Sequence, residues 1–233
     1  MIDALADPKW HRLLSLSVHE FRTPITVVAG YIRMLLKDRA GPLSDQQRRL
    51  LEEAEKSCGR LSSLVAEMSE LSSLEAGSSP FNRSNIDIDV FLREAIAALP
   101  QLPDREIGVE LSGPDQSATV QGDPGRLRTA FTSLLTALRR ELVTSNRLHV
   151  RHVTRQHEGR TVAWVAIGDD EQIERLTTAE PSALATFDEW RGGCGLSLAI
   201  ARRVFAAHHG SVWSAGENAK AGAVVMLPHG GSN

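Results

Sequence analysis

Two long amphipathic stretches in the first third of the chain constrain its fold more than any other feature. In the first, apolar residues recur in alternating steps of three and four, at Val18, Phe21, Ile25, Val28, Ile32 and Leu35. The second repeats this spacing at Leu50, Ala54, Ser57, Leu61, Leu64, Met68 and Leu71. Such a pattern is typical of the seam along which a helix packs in a bundle. Because only a short turn around Arg39 to Leu43 separates the stretches, we predict an antiparallel helical hairpin.

A hairpin with two such seams cannot bury both of them by itself. We therefore predict that two copies form a homodimer, a dimeric four-helix bundle. The alternative is a hairpin that packs on its own globular neighbour. Ser44-Asp45 is a predicted cap for the second helix, and Pro24 predicts a local bend in the first.

A histidine, a glutamate and a threonine lie at the edge of the first seam. His19 is one residue from Val18, about 100° around the helix, so its imidazole is predicted to face water. Thr23 lies four residues later and shares that face, while Glu20 is adjacent. The segment therefore carries an exposed nucleophile beside a carboxylate and a hydroxyl on a rigid helix. The alternative interpretation of His19 is an ordinary surface histidine on a coiled coil.

The run from His19 to Pro24, His-Glu-Phe-Arg-Thr-Pro, resembles the phosphoacceptor box of sensor histidine kinases. In that family it belongs to the dimerisation and phosphotransfer domain. The resemblance implies that His19 accepts a phosphoryl group and that Glu20 is its acid and base. It implies that Thr23 orients a water in a phosphatase reaction. It also implies a response-regulator receiver domain as the partner that exchanges phosphate with His19.

The second half of the chain alternates short strand and helix patterns. Gly77-Ser-Ser-Pro80 is the strongest linker signal, so we predict domains at 1–77 and 78–233. One helix is predicted from Asp123-Pro124 to about Leu142 and another from Leu196 to His208. Together with the strands they predict an α+β fold, an α/β sandwich with helices on one face of a mixed sheet. This order resembles the ATP-binding domain shared by histidine kinases, gyrase and Hsp90-type ATPases.

The helix that carries two asparagines in this family is altered here. The start of this helix, Asp123-Pro124-Gly125-Arg126-Leu127, matches the family's sequence well. The positions of the two asparagines, however, are occupied by Ser133 and Ala137. In the family the second asparagine holds the Mg²⁺ that bridges the ATP phosphates. An alanine methyl cannot ligate a hard cation that takes oxygen donors. The resemblance also implies a phosphate contact at Arg140, for which the alternative is a solvated helix end.

The two remaining nucleotide motifs are preserved unequally. The family's Asp-x-Gly-x-Gly motif, whose aspartate accepts the adenine amino group, begins here at Asp169 but lacks both glycines. A plain turn after a strand is the alternative interpretation of that aspartate. The glycine loop before the last helix is closer to the family, with Gly193, Gly195 and Leu196 as implied phosphate contacts. The implied cofactors are ATP with Mg²⁺, and the departures predict that ATP use is weak or lost.

Bulk properties exclude several other classes of protein. A net charge of −3 gives no reason to expect nucleic-acid binding. Cys58 and Cys194 are far apart, which argues against a disulfide framework and a zinc site. We interpret the remaining histidines as surface residues and predict no metal site: these include His149, His152, His208 and His209. Without an apolar run of roughly 20 residues or a signal-peptide pattern, we expect a cytoplasmic protein, or the cytosolic part of a longer sensor.

The leading hypothesis is a two-component signal transduction histidine kinase core with His19 as its phosphoacceptor. One alternative is a histidine phosphotransferase or phosphatase that no longer uses ATP. The other is a non-enzymatic dimeric regulator that binds partners through the hairpin. Retention of His19, Glu20 and Thr23 together favours the first two.

Overall fold

The computed structural model describes residues 10–78, 80–102, 105–113, 118–143, 145–191, 195–216 and 221–230. The chain divides into two compact units, residues 1–79 and 80–233. This division falls close to the linker signal on which we placed the functional domains 1–77 and 78–233. Within the part of the chain that the structure describes, no helix is long and apolar enough to cross a membrane.

The first unit contains the predicted helical hairpin. Helix α1 runs Trp10–Leu36 and continues through Pro24, and helix α2 runs Asp45–Glu75. Ser44 forms a capping box at the start of α2, because its hydroxyl accepts the Gln47 N–H while its own N–H donates to Gln47 Oε1. Across the turn, Arg48 of α2 donates to the Leu36 carbonyl at 2.9 Å, which ties the two helices together.

Within the hairpin the predicted seams are buried on one side only. Val18 and Ile32 of α1 are buried, at 2% and 8% exposure, whereas Phe21 and Val28 are 52% and 48% exposed. One apolar cluster between the helices is formed by Ala29, Ile32 and Cys58, with Leu36, Leu51 and Ala54 packed against it. The other apolar side of α2 is exposed at Leu50, Leu61 and Leu64. A single partner helix covers only part of each seam, so an apolar face of the hairpin stays exposed.

The second unit is an α+β domain built on a six-stranded mixed sheet. The strands have the order β2-β4-β5-β8-β7-β6; β2 and β4 are parallel and all other neighbours are antiparallel. Strands β1 and β3 form a separate antiparallel pair. The elements are β1 Ser84–Asp87, α3 Ile88–Ala97, β2 Gly108–Ser112, β3 Thr119–Gly122, α4 Pro124–Glu141, β4 Arg147–His157, β5 Arg160–Gly168, α5 Ile173–Thr178, β6 Ala185–Thr186, α6 Ser197–Ala207, β7 Ser211–Ser214 and β8 Ala223–Pro228.

The longer helices pack together around aromatic rings. Phe131 of α4 meets Phe91 of α3 and Phe205 of α6 edge-on, with ring centroids 5.8 and 5.1 Å apart. All three rings are at most 4% exposed. Asp89 of α3 also contacts His152 of β4 at 3.1 Å, which places α3 over that face of the sheet.

A short segment after β5 covers the opposite face of the sheet, which the sequence did not predict. Arg151 is the neighbour of His152 in β4 and therefore points to the other face, where it pairs with Glu174 of α5 at 2.6 Å. Trp164 of β5 donates its indole N–H to the Leu176 carbonyl of α5 at 3.0 Å. Trp164 and Leu176 belong to a buried cluster that also contains Ala166, Ile173, Ala215 and Val224. The prediction of helices on one face holds for the longer helices, and α5 is the exception.

Candidate functional site

The predicted phosphoacceptor residues lie on the exposed surface of α1, as the sequence predicts. The side chains of His19, Glu20 and Thr23 are exposed, while Val18 directly before them is buried. His19 and Thr23 are one helical turn apart and therefore neighbours on the helix surface. The helical backbone thus presents an imidazole, a carboxylate and a hydroxyl together to solvent. An incoming phosphoryl group can reach the imidazole without any movement of the hairpin core.

Pro24 is the unusual backbone feature beside this surface. Proline has no N–H, so the carbonyl of Glu20 lacks the helical hydrogen bond that residue 24 would otherwise donate. The helix is nevertheless continuous across this point. Two turns around it carry side-chain hydrogen bonds to the backbone, from Ser17 to the Leu13 carbonyl at 2.9 Å and from Thr26 to the Arg22 carbonyl at 2.8 Å.

The predicted nucleotide residues of α4 differ in their access to solvent. Ser133 is half-buried, Ala137 is fully buried at 0% exposure, and Arg140 is exposed. At the position that holds Mg²⁺ in histidine kinases, this chain therefore has the methyl group of Ala137. This methyl group has no donor atom, and its burial keeps it from contact with a cation in solvent. These residues do not fit a cation at position 137.

Asp169 has a local structural role in the turn that follows β5. Its Oδ1 accepts the Gln172 N–H at 3.0 Å and its Oδ2 accepts the Gln172 side-chain amide at 3.1 Å. These contacts agree with the interpretation of Asp169 as a turn residue after a strand. Each carboxylate oxygen has two lone pairs, so one acceptor position on each oxygen remains for another donor.

Asp170, the next residue, fastens the same turn to the neighbouring strand. Its Oδ1 lies 2.6 Å from His149 Nε2 of β4, and its Oδ2 accepts the Ser145 hydroxyl at 3.3 Å. The hydrogen bond with His149 is the main reason that the pKa of the Asp170 carboxyl lies below its usual value. Asp170, which directly follows Asp169 in this motif, therefore fixes the turn to β4, while the glycine positions of the motif are occupied by Glu171 and Ile173.

The glycine loop leads into helix α6. Gly193 lies outside the described residues. Gly195 has a φ of +61°, a left-handed conformation that favours glycine, and half-buried Leu196 occupies the N-cap position of α6. An aliphatic side chain cannot cap a helix, so Leu196 satisfies none of the N–H groups of the first turn.

A buried ion pair at the start of this loop was missed by the sequence analysis. Arg191 contacts Glu141, the last residue of α4, through Nε at 2.9 and 3.0 Å and through Nη2. The two side chains are only 9% and 17% exposed. Nη1 of Arg191 also donates to Ser214 Oγ of β7 at 3.2 Å. One guanidinium therefore joins the end of α4, the last residue of β7 and the chain that enters the glycine loop.

Two histidines interpreted as surface residues are in fact buried. His208 is 2% exposed, with Nδ1 at 2.7 Å from the Val204 carbonyl and Nε2 at 2.9 Å from the Asp123 backbone nitrogen. His152 is 1% exposed and contacts Asp89. Among the residues that the structure describes, no group of three or more histidine, cysteine or carboxylate side chains is placed to hold a metal ion.

Comparison with known protein families matches the first third of the chain. Residues 9–77 match the model of the His Kinase A (phospho-acceptor) domain family. Residues 9–77 belong to this phosphoacceptor domain family. The α1 surface with His19, Glu20 and Thr23 lies within the matched residues.

Two relatives that match most of the chain are named as sensor kinases. The adaptive-response sensory kinase SasA of Synechococcus sp. (strain JA-3-3Ab) is 25% identical over 206 residues, which cover 87% of this chain and 54% of SasA. The sensor-like histidine kinase SenX3 of Mycobacterium tuberculosis (strain H37Rv) is 30% identical over 209 residues, which cover 84% of this chain and 48% of SenX3. The chain thus spans about half the length of the curated relatives it matches.

Solved structures also resemble this chain. Full-length ShkA in complex with AMPPNP is 25% identical, with a TM-score of 0.65, and the match covers 94% of this chain and 45% of that one. The histidine kinase AdeS of Acinetobacter baumannii is 17% identical, with a TM-score of 0.57 over 91% of this chain and 98% of AdeS. At this low identity, the similarity to AdeS shows a shared fold and nothing more.

Proposed function

We propose that this chain is a sensor histidine kinase core that acts in two-component signal transduction, with His19 as a phosphoacceptor that exchanges phosphate with an aspartate of a response-regulator receiver domain. The observation that carries the proposal is the exposed surface of α1 with His19, Glu20 and Thr23, inside the match to the phospho-acceptor family. The names of the relatives, sensory kinase and sensor-like histidine kinase, support the same class of activity.

The chemistry of the exchange follows from these side chains. One imidazole nitrogen of His19 attacks the phosphorus of the aspartyl phosphate, and the bond from phosphorus to the aspartate oxygen breaks. The proton on the other imidazole nitrogen passes to Glu20, which returns it when the phosphoryl group leaves. In the phosphatase direction Thr23 orients a water that attacks the aspartyl phosphate, and phosphate and aspartate are the products.

We propose a weaker role for ATP. The complex of ShkA with AMPPNP shows that a related protein binds a nucleotide analogue. Here the nucleotide contacts would be Ser133, Arg140, Asp169 and the loop with Gly193, Gly195 and Leu196. Since buried Ala137 offers no ligand for Mg²⁺, phosphorylation of His19 from ATP is expected to be weak or lost, and an aspartyl phosphate is the better donor.

Phosphate transfer to α1 tests the proposal. Receiver domains labelled with radioactive acetyl phosphate should transfer the label to wild-type protein and not to His19→Gln. Glu20→Gln should lower the transfer rate about 100-fold, because a positioned acid and base contributes that much to proton transfer. Thr23→Ala should keep the labelling of His19 but slow the loss of aspartyl phosphate. Thr26→Ala, which removes an exposed hydroxyl from the same helix, is the matched control.

The same assay separates the alternatives. Efficient labelling of His19 from Mg-ATP, with micromolar binding of ATP in calorimetry, would show that the nucleotide site is competent despite Ala137. Labelling from receiver domains alone would support the phosphotransferase. Absence of label on His19 from both donors, with Thr23-independent loss of aspartyl phosphate, would leave only the non-enzymatic dimeric regulator.

A further inference from the structure

The chain that enters the second unit is held against it before the first strand begins. The Asn82 N–H donates to Asp123 Oδ2 at 2.9 Å, and Arg83 donates to the Ala207 carbonyl at 3.1 Å. The Phe81 ring meets the His208 ring edge-on at 5.2 Å, and the Arg126 guanidinium lies 4.8 Å from the Phe81 centroid. We call this set the linker anchor; its members are Phe81, Asn82, Arg83, Asp123, Arg126 and His208.

Asp123 and His208 form the centre of the linker anchor. Asp123 Oδ1 caps α4 by accepting the Arg126 N–H at 3.0 Å, while its Oδ2 accepts the Asn82 N–H. His208 Nε2 accepts the Asp123 N–H at 2.9 Å, and its Nδ1 donates to the Val204 carbonyl. The Asp-Pro-Gly-Arg motif therefore holds the entering chain as well as starting the helix, which its resemblance to the kinase family did not indicate.

This arrangement requires a neutral His208. A backbone N–H donates to Nε2, so Nε2 must carry a lone pair, and the single proton must be on Nδ1. A second proton on Nε2 would face the Asp123 N–H and break that hydrogen bond. Two cations, Arg83 from the linker and Arg126 from α4, face the ring together with one carboxylate, Asp123.

Burial is the largest cause that lowers the pKa of His208 below its ordinary value of 6.5. Arg83 and Arg126 lower it further, while the Val204 carbonyl and Asp123 oppose them. Since the pKa is lower in the anchored state than in a released state, the anchored state is fully favoured above pH 6.5. That preference is lost as the pH falls below 6.5 towards the lowered pKa of the buried ring.

We propose that the linker anchor holds residues 80–83 on the second unit at neutral pH and releases them when His208 is protonated. Helix α2 ends at Glu75 and strand β1 begins at Ser84. Release therefore adds residues 80–83 to the chain that connects the two units without disturbing either end of it. Acidification changes the length of the connection between the phosphoacceptor helices and the second unit.

Hydrogen exchange on the full chain tests the proposal. At pH 7.5 the amides of Asn82 and Asp123 should be protected, and at pH 5.5 their protection, corrected for intrinsic rates, should fall at least tenfold. Amides in strands β4 and β5 should keep theirs. His208→Gln supplies an acceptor and a donor without titrating, so it should stay protected at both pH values. Phe81→Ala should lose protection at both.

A measurement on the wild-type protein alone tests the proposal even if the variants do not fold. The pH midpoint for loss of Asn82 protection should match the titration of His208 followed by its ring proton resonances. Midpoints that differ, or a loss that is equal in His208→Gln, would overturn the proposal. Loss of protection in β4 and β5 together with Asn82 would also overturn it, because the whole domain would then be unfolding.

Discussion

At the scale of single residues, Glu141 illustrates how a locally unfavourable choice is compensated elsewhere. It is the last residue of α4, where the negative end of the helix dipole disfavours an acidic side chain. Arg191 lies against it in a pair that is almost fully buried. An acidic residue at a helix end next to Arg139 and Arg140 is the only sequence signal of this pair. The partner lies fifty positions away in the chain, so no local pattern could identify it.

The Glu141–Arg191 pair gives a prediction about stability. Glu141→Ala leaves a buried guanidinium without its carboxylate and should lower the free energy of unfolding by about 3 kcal/mol. The double variant Glu141→Leu with Arg191→Met removes both charges and should recover most of that loss. Urea denaturation of the full chain measures both values. If the double variant is no more stable than Glu141→Ala, the desolvated charge is not the cause.

An exposed pair provides the matched control for this prediction. Lys56 and Glu53 of α2 approach to 2.7 Å, but both side chains are about two-thirds exposed, at 68% and 66%. Since solvent screens such a pair, Glu53→Ala should leave the urea midpoint unchanged. A large effect at both sites would indicate a general response to loss of negative charge.

His208 shows where residue-level prediction from sequence fails. It follows the last residue of α6, and a polar residue after a helix end is ordinarily exposed. Its burial comes from Phe81 and Asp123, which approach from distant parts of the chain. By contrast, the exposure of His19 follows from its own position beside the buried Val18, and it could be predicted because one helix settles it.

At the scale of elements, local signals determined what could be predicted. Helix α2 has a capping residue, a long apolar repeat and a turn before it, and it begins at Asp45, directly after the predicted cap at Ser44. The six-residue helix α5 and the two-residue strand β6 were missed. They are too short to show a period, and they are held by Trp164 and the sheet face rather than by their own sequence.

The capping box of α2 gives a prediction at this scale. Ser44→Ala removes the acceptor for the Gln47 N–H and should lower the free energy of unfolding of the hairpin by about 1 kcal/mol. Ser63→Ala is the control, because Ser63 is an exposed residue within the same helix whose hydroxyl donates to the Gly59 carbonyl of the preceding turn. Thermal unfolding followed by far-ultraviolet circular dichroism should show a lower midpoint for Ser44→Ala alone.

At the scale of the whole molecule, the class of fold follows from the order of elements, but the sheet order does not. A hairpin of long helices followed by mixed short elements indicates an α+β chain with a helical start. The order β2-β4-β5-β8-β7-β6 depends on pairings between strands far apart in sequence, such as β5 with β8. The candidate site divides in the same way, since α1 alone positions His19 while the nucleotide residues depend on α4, α6 and the turn after β5.

The apolar face that the hairpin leaves exposed gives the last prediction. Phe21 and Val28 of α1 and Leu61 of α2 are about half exposed, at 52%, 48% and 49%, on helices whose opposite sides are packed. Water around such a face is unfavourable, and a second copy would cover it to form the proposed four-helix bundle. Val28→Glu places a charge in that interface and should shift the protein from dimer to monomer in sedimentation velocity. Thr26→Glu adds the same charge at an exposed position away from the seam and should remain dimeric. A wild-type protein that sediments as a monomer at every concentration, or a Val28→Glu variant that stays dimeric, would contradict this arrangement.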